Sequence, residues 1–236
     1  MRQIILDTET TGMSLEAGNR VIEIGCLELL ERRPSGRHFH RYLNPGRDSE
    51  PGALRVHGLT SEFLCDKPRI EDVVDEFLDF IRGAELVIHN ADFDLSFLDA
   101  ELRHCGPQYG RVISHVAGVL DTVRLARERF PGQRVSLDAL CRRFGIDNTH
   151  RALHGALLDA ELLLDVYLAM TSGQFDLALA SHDEPVRRGD ATAASPPPRE
   201  IRVVRANADE RLRHEARLDD LQKIAGVRLW PVSDGS

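Results

Sequence analysis

An apolar run suited to a buried strand, Gln3 to Asp7, ends in a carboxylate and is followed two positions later by a second one, Glu9. A chain that opens this way must bury the run while holding two acids at the mouth of the core. Residues i and i+2 of a strand point to the same side, so Asp7 and Glu9 can converge on one point. Two anions there repel, and bound cations are the simplest remedy. At this level one alternative stays open, in which one acid caps the turn through Thr10, Thr11 and Gly12 while the other is solvated.

The pattern continues as a meander. Arg20 to Glu28 reads as a second strand with Ile22, Ile24 and Cys26 on one face, and Arg37 to Leu43 alternates as a third, leaving His38 and His40 exposed. Val73, Val74, Phe77, Leu78 and Ile81 recur at helical spacing in Ile70 to Ile81. Leu86 to His89 reads as a strand, followed by a helix with Leu95, Leu98 and Leu102 on one face. "VAGVLDT" resembles a fifth strand, and Ser136 to Phe144 and Ala156 to Met170 two further helices. No internal repeat is visible.

Composition narrows the function classes. In 236 residues, 42% are apolar and 29% charged, the balance of a water-soluble globular protein with no apolar run long enough to cross a membrane. The first apolar segment is too short and too soon interrupted by acids for a secretory signal, so a cytoplasmic protein is expected. Four cysteines without a C-x-x-C pair indicate neither zinc nor disulfides. A net charge of -8 argues against coating nucleic acid by bulk electrostatics, although bound cations can invert the sign of a local site.

Composition also divides the chain in three: patterned sequence over 1–180, a linker over 181–198 with Val186 as its one large apolar residue, and a charged tail over 199–236, too short to fold alone.

Further acids follow the later apolar segments. "HNADFD" places Asp94 at a helix start, where an N-cap role is the plain alternative and Asp92 competes for it. "LHGALLDA" offers His154 and Asp159. Five positions along a helix are separated by roughly 140°, so both side chains face one site only if His154 precedes the helix, as Gly155 allows. Asp7, Glu9, Asp94 and Asp159 form an oxygen-rich ligand set suited to magnesium or manganese rather than zinc. Two such ions roughly 3.5–4 Å apart can hold a phosphodiester and assist its hydrolysis. His154 is the natural proton acceptor, because an imidazole as a side-chain type titrates near neutrality.

"DTETTG", "HNADFD" and "HGALLDA" resemble, in order, the three motifs of the DEDD exonuclease superfamily in its DEDDh branch. Closer still is the likeness to the proofreading subunits of bacterial replicases, which extends through "VHGLTSEFL", "FPGQRVSLDALCRRFGIDN" and most of Met1 to Gln174. This resemblance implies an α/β, RNase H-like fold, a five-stranded mixed sheet flanked by helices, and 3′-to-5′ hydrolysis of DNA to nucleoside monophosphates with two divalent cations, Mg²⁺ or Mn²⁺. Asp7 would bridge the cations, Glu9 and Asp159 would hold the one on the nucleophile side, and Asp94 would support the other. His154 would be the general base. Thr10 and Thr11 would lie where the backbone meets the terminal nucleotide, with His57 near its sugar or base and Asn90 and Asp121 close by. Asp92 departs from the family pattern, which more often has a small residue there.

The resemblance also implies partners. "SGQFDLALA" is similar to a sliding-clamp-binding peptide through Gln174, Leu177 and Leu179. "HEARLDDLQKIAGVRLW" resembles the segment that binds the polymerase alpha subunit, and Leu212, Leu218, Leu221, Ile224, Leu229 and Trp230 are candidate anchors that order on binding. A small third core subunit is a further expected partner. The competing expectations are an RNA-trimming 3′-to-5′ exonuclease and a catalytically silent adaptor joining polymerase to clamp.

Overall fold

Strand β1 (Arg2–Thr10) is the central strand of a five-stranded sheet ordered β3-β2-β1-β4-β5. It pairs antiparallel with β2 (Val21–Leu30) and parallel with β4 (Glu85–Ile88). Outside these, β3 (Arg33–Tyr42) runs antiparallel to β2, and β5 (Gly118–Asp121) parallel to β4. The antiparallel strands follow one another through short connections. A parallel partner needs a longer crossover. The route to β4 runs through helices α1 (Pro51–His57), α2 (Ser61–Leu64) and α3 (Ile70–Ile81), and the route to β5 through α4 (Ala91–Cys105). Helices α5 (Thr122–Arg129), α6 (Leu137–Phe144) and α7 (Ala156–Thr171) follow. The computed structural model describes residues 1–149, 153–172 and 207–225. It divides into two units, Met1–Ala180 and Ser181–Ser236.

Both faces of β1 are covered, which is why its sequence is continuously apolar rather than alternating. Ile4 and Leu6 pack in one cluster with Phe77 and Ile81 of α3 and Phe97 and Leu98 of α4. Ile5 packs in another with Leu140 of α6 and Ala160, Leu163 and Val166 of α7. Each of these buried leucine, isoleucine, valine and phenylalanine side chains contributes roughly 1.5–3 kcal/mol relative to exposure. The apolar half of the strand thus clamps its carboxylate end between two helical layers.

The α/β class, the five strands and the flanking helices are as expected from sequence, and the differences have local causes. Strand β1 continues through Glu9 to Thr10 because β2 pairs with it that far. β3 starts at Arg33, since Arg33 and Pro34 pair with Leu30 and Leu29 although that stretch has poor strand propensity. Helices α1, α2 and α5 escape periodicity because they are short and bury little. Their ends are capped in ordinary ways: Pro51 starts α1 and left-handed Gly58 ends it, and Asp121 accepts from the Val123 N–H at the start of α5. His40 is not an open-face histidine, because its Nε2 lies 2.7 Å from Oε1 of buried Glu23.

In the second unit, Ala208–Ala225 forms a helix, α8, where ordering on binding was expected. Leu212 is exposed on it and Leu218 half-buried. The side chains of Leu221 and Ile224, and all of Leu229 and Trp230, lie outside the described residues.

Candidate active site

Ile5, Asp7 and Glu9 share the face of β1 that looks toward α7. Across the ladder, Asp7 stands opposite Gly25 and Glu9 opposite Glu23, with an irregularity between Glu9 and Thr10 where pairing ends. Gly25 sets how closely α7 can approach. A Cβ built there would lie 2.4 Å from the carbonyl carbon of Ala156 and the nitrogen of Leu157, both backbone atoms that cannot swing aside. A glycine opposite Asp7 therefore lets the first turn of α7 rest directly on the sheet.

Asp159 is the fourth residue of α7 and is buried, and Gly155 in extended conformation is the N-cap. His154 lies outside the helix. Its Nδ1 sits 3.0 Å from Oδ2 of Asp159. In the tautomer that donates from Nδ1 to the Asp159 carboxylate, the lone pair lies on Nε2. Ligand-capable atoms of Glu9, His154 and Asp159 all lie within 4.8 Å of one another. Two carboxylates and an imidazole at that spacing suit a divalent cation that favours oxygen and accepts nitrogen.

Asp94 reaches the same strand from the opposite face. The N-cap of α4 is Asn90, in left-handed conformation with φ 70°, not Asp94. Asp94 sits in the first turn, where its Oδ1 accepts from the Thr8 N–H at 3.1 Å and the Thr8 hydroxyl at 2.7 Å. Thr8 lies between Asp7 and Glu9, so this carboxylate is fastened to the strand that carries both acids. Burial pushes its pKa up to about 7 against the pull of the Thr8 hydrogen bonds, and the charge of Asp121 adds to the rise. A neighbouring cation would reverse that balance. Asp92 is exposed.

This raised pKa has a stability consequence. Native Asp94 holds its proton more tightly than the unfolded chain does, so its contribution is fully favourable below the unfolded pKa near 4 and is lost as pH rises to about 7. Asp94→Asn keeps the Oδ1 acceptor for Thr8 and never ionises. In cation-free protein this variant is expected to match the wild type below about pH 4, where Asp94 is protonated in both states, and to be more stable at neutral pH, by on the order of a few kcal/mol. Thermal unfolding at both pH values checks this. Equal midpoints at neutral pH would contradict it.

The flanking residues fall into two groups. Thr10 donates to the Gly12 carbonyl at 2.8 Å. Thr11 is wholly buried and fully engaged: its hydroxyl donates to Asn19 and accepts from the Arg20 N–H, its N–H donates to Arg20, and its carbonyl accepts from Glu50. It braces the turn. His57 lines a cavity of about 360 Å³ together with Thr8, Glu9, Thr10, Val56 and Phe93. Its Nδ1 accepts from the Leu59 N–H at 2.9 Å, which leaves the proton on Nε2. Burial lowers its pKa and the nearby Glu23 charge opposes that, so His57 is a neutral donor at physiological pH. Asn90 is exposed, and its N–H donates to Asp121 at 3.2 Å. Gln174, Leu177 and Leu179 lie outside the described residues.

Sequence reasoning missed Glu23, a buried carboxylate opposite Glu9. A single acid in an otherwise apolar strand was the available signal.

A family model described as "Exonuclease" matches residues 4–167. The chain is 51% identical to DNA polymerase III subunit epsilon of Salmonella typhimurium over 97% of each chain, and 49% identical to that of Escherichia coli K12, again over 97% of each. Among solved structures, exonuclease X in complex with 5′-overhanging duplex DNA superposes with a TM-score of 0.52 at 28% identity, over 73% of this chain and 94% of that one. Enzymes of this family are nucleases that depend on divalent cations. The chain belongs to the exonuclease family, among the epsilon subunits of bacterial DNA polymerase III.

Proposed function

We propose that this enzyme removes mispaired nucleotides from DNA 3′ ends as the proofreading subunit of a replicase, releasing nucleoside monophosphates. The convergence of Glu9, His154 and Asp159 within 4.8 Å beside an open cavity supports this most strongly. Asp7, Glu9, Asp94 and Asp159 would hold two cations, Mg²⁺ or Mn²⁺. Such ions supply charge neutralisation and Lewis acidity for attack of water on phosphorus.

The remaining work belongs to the chain's own side chains. His154 accepts the proton of the attacking water at Nε2, and the imidazolium so formed is stabilised through Nδ1 by Asp159. His57 offers its Nε2–H to the nucleotide in the cavity. Phe93 and Val56 supply apolar wall against which a base of any identity can rest, so selection falls on frayed ends rather than on sequence.

The wider reading comprises an exonuclease domain over 1–180, a linker over 181–198 and a polymerase-binding segment over 199–236. The alpha subunit would be bound through the last, the sliding clamp through Gln174 to Leu179, and a small third core subunit elsewhere, all in the cytoplasm. No helix among the described residues is long and apolar enough to cross a membrane.

Release of 3′ nucleotides from paired and mispaired primers, with and without chelator, tests this reading. Faster loss from the mispaired DNA end and no loss in chelator are expected. An RNA oligonucleotide degraded faster than its DNA counterpart, or activity that survives chelation, would contradict it.

A further inference from the structure

His154 precedes α7 in an irregular stretch, so its helix does not fix it. Two contacts do. Its ring is tied to Asp159, and its backbone N–H donates to the Val56 carbonyl near the end of α1 at 3.0 Å. The preceding residue, Leu153, adds a steric tie. A Cβ built on Gly58, the left-handed cap of α1, would lie 2.6 Å from Cδ1 of Leu153, so the leucine rests directly on the glycine backbone.

The other end of α1 is fastened to the first motif. The Glu50 N–H donates to the Thr11 carbonyl at 2.7 Å, and Oε1 of Glu50 accepts from Asn19 at 2.7 Å. Between these anchors, Gly52, Ala53, Val56 and His57 form one wall of the cavity beside Glu9. Helix α1 is thus a strap that joins the turn after Glu9 to the segment carrying His154.

We propose that Leu153 is a positioning residue for the general base: seated on Gly58, it holds the end of α1 against the His154 segment. Stability alone does not call for a leucine here. Its side chain is 51% exposed and buries little apolar surface.

This inference rests on the exonuclease reading. Its test is steady-state release of nucleotides from a single-stranded DNA oligonucleotide with Mn²⁺, comparing wild type, Leu153→Ala and Leu153→Met. Misplacement of a catalytic group by about 1 Å costs up to about 10²-fold, so Leu153→Ala is expected to lower kcat by about tenfold or more. KM should stay within about twofold and Leu153→Met should recover most of the rate, a split that a purely structural loss would not give.

Leu153→Ala with wild-type kcat, or Leu153→Met no faster than Leu153→Ala, would overturn the proposal. A wild type that releases no nucleotide would overturn the exonuclease reading, and the inference with it.

Discussion

Asp7→Ala is expected to reduce nucleotide release from a DNA 3′ end by about 10²–10³-fold or more, the scale on which loss of one element of charge stabilisation is felt. Asp7 would be the carboxylate shared by both cations. Its position is fixed by β1, whose Ile4, Ile5 and Leu6 are completely buried just before it. The substitution leaves that core untouched, and Asp7 itself is only partly buried. The thermal midpoint in cation-free buffer should therefore change little, so activity and folding separate cleanly. Wild-type turnover in this variant would remove Asp7 from the site.

His154→Ala should cost about 10²–10⁴-fold in kcat, the usual contribution of a positioned general base. The two variants differ in how they fail. Without His154 the oxygen ligands remain, so KM for DNA should hold, and the residual rate should climb as pH rises, because hydroxide takes over the missing proton transfer. Without Asp7 no such recovery is expected. Single-turnover rates across pH distinguish them, and a His154→Ala profile parallel to that of the wild type would contradict the assignment of the base.

The sequence carried the order and spacing of the site further than its surroundings. Asp7 and Glu9 were legible because an apolar run stops at them, and the extra-helical place of His154 follows from helix geometry and Gly155 alone. Asp94 was ambiguous for a physical reason: an acid near a helix start is usually a cap, and only the fold brings Thr8 within reach of its carboxylate. Gly25 could not be read at all. It looks like an ordinary strand glycine until α7 is placed against it.

Glu23 and His40 illustrate the same limit. Their pairing across β2 and β3 depends on a register that alternation does not fix where polar residues populate the strand. The short helix α1 was hidden for want of buried residues, yet it links the two ends of the site.

Calorimetric titration of cation-free protein with Mn²⁺ measures the central claim without passing through catalysis. Uptake of two ions by the wild type, and loss of at least one of them in Asp7→Ala, is the predicted result. A wild type that takes up no ion at all would contradict it.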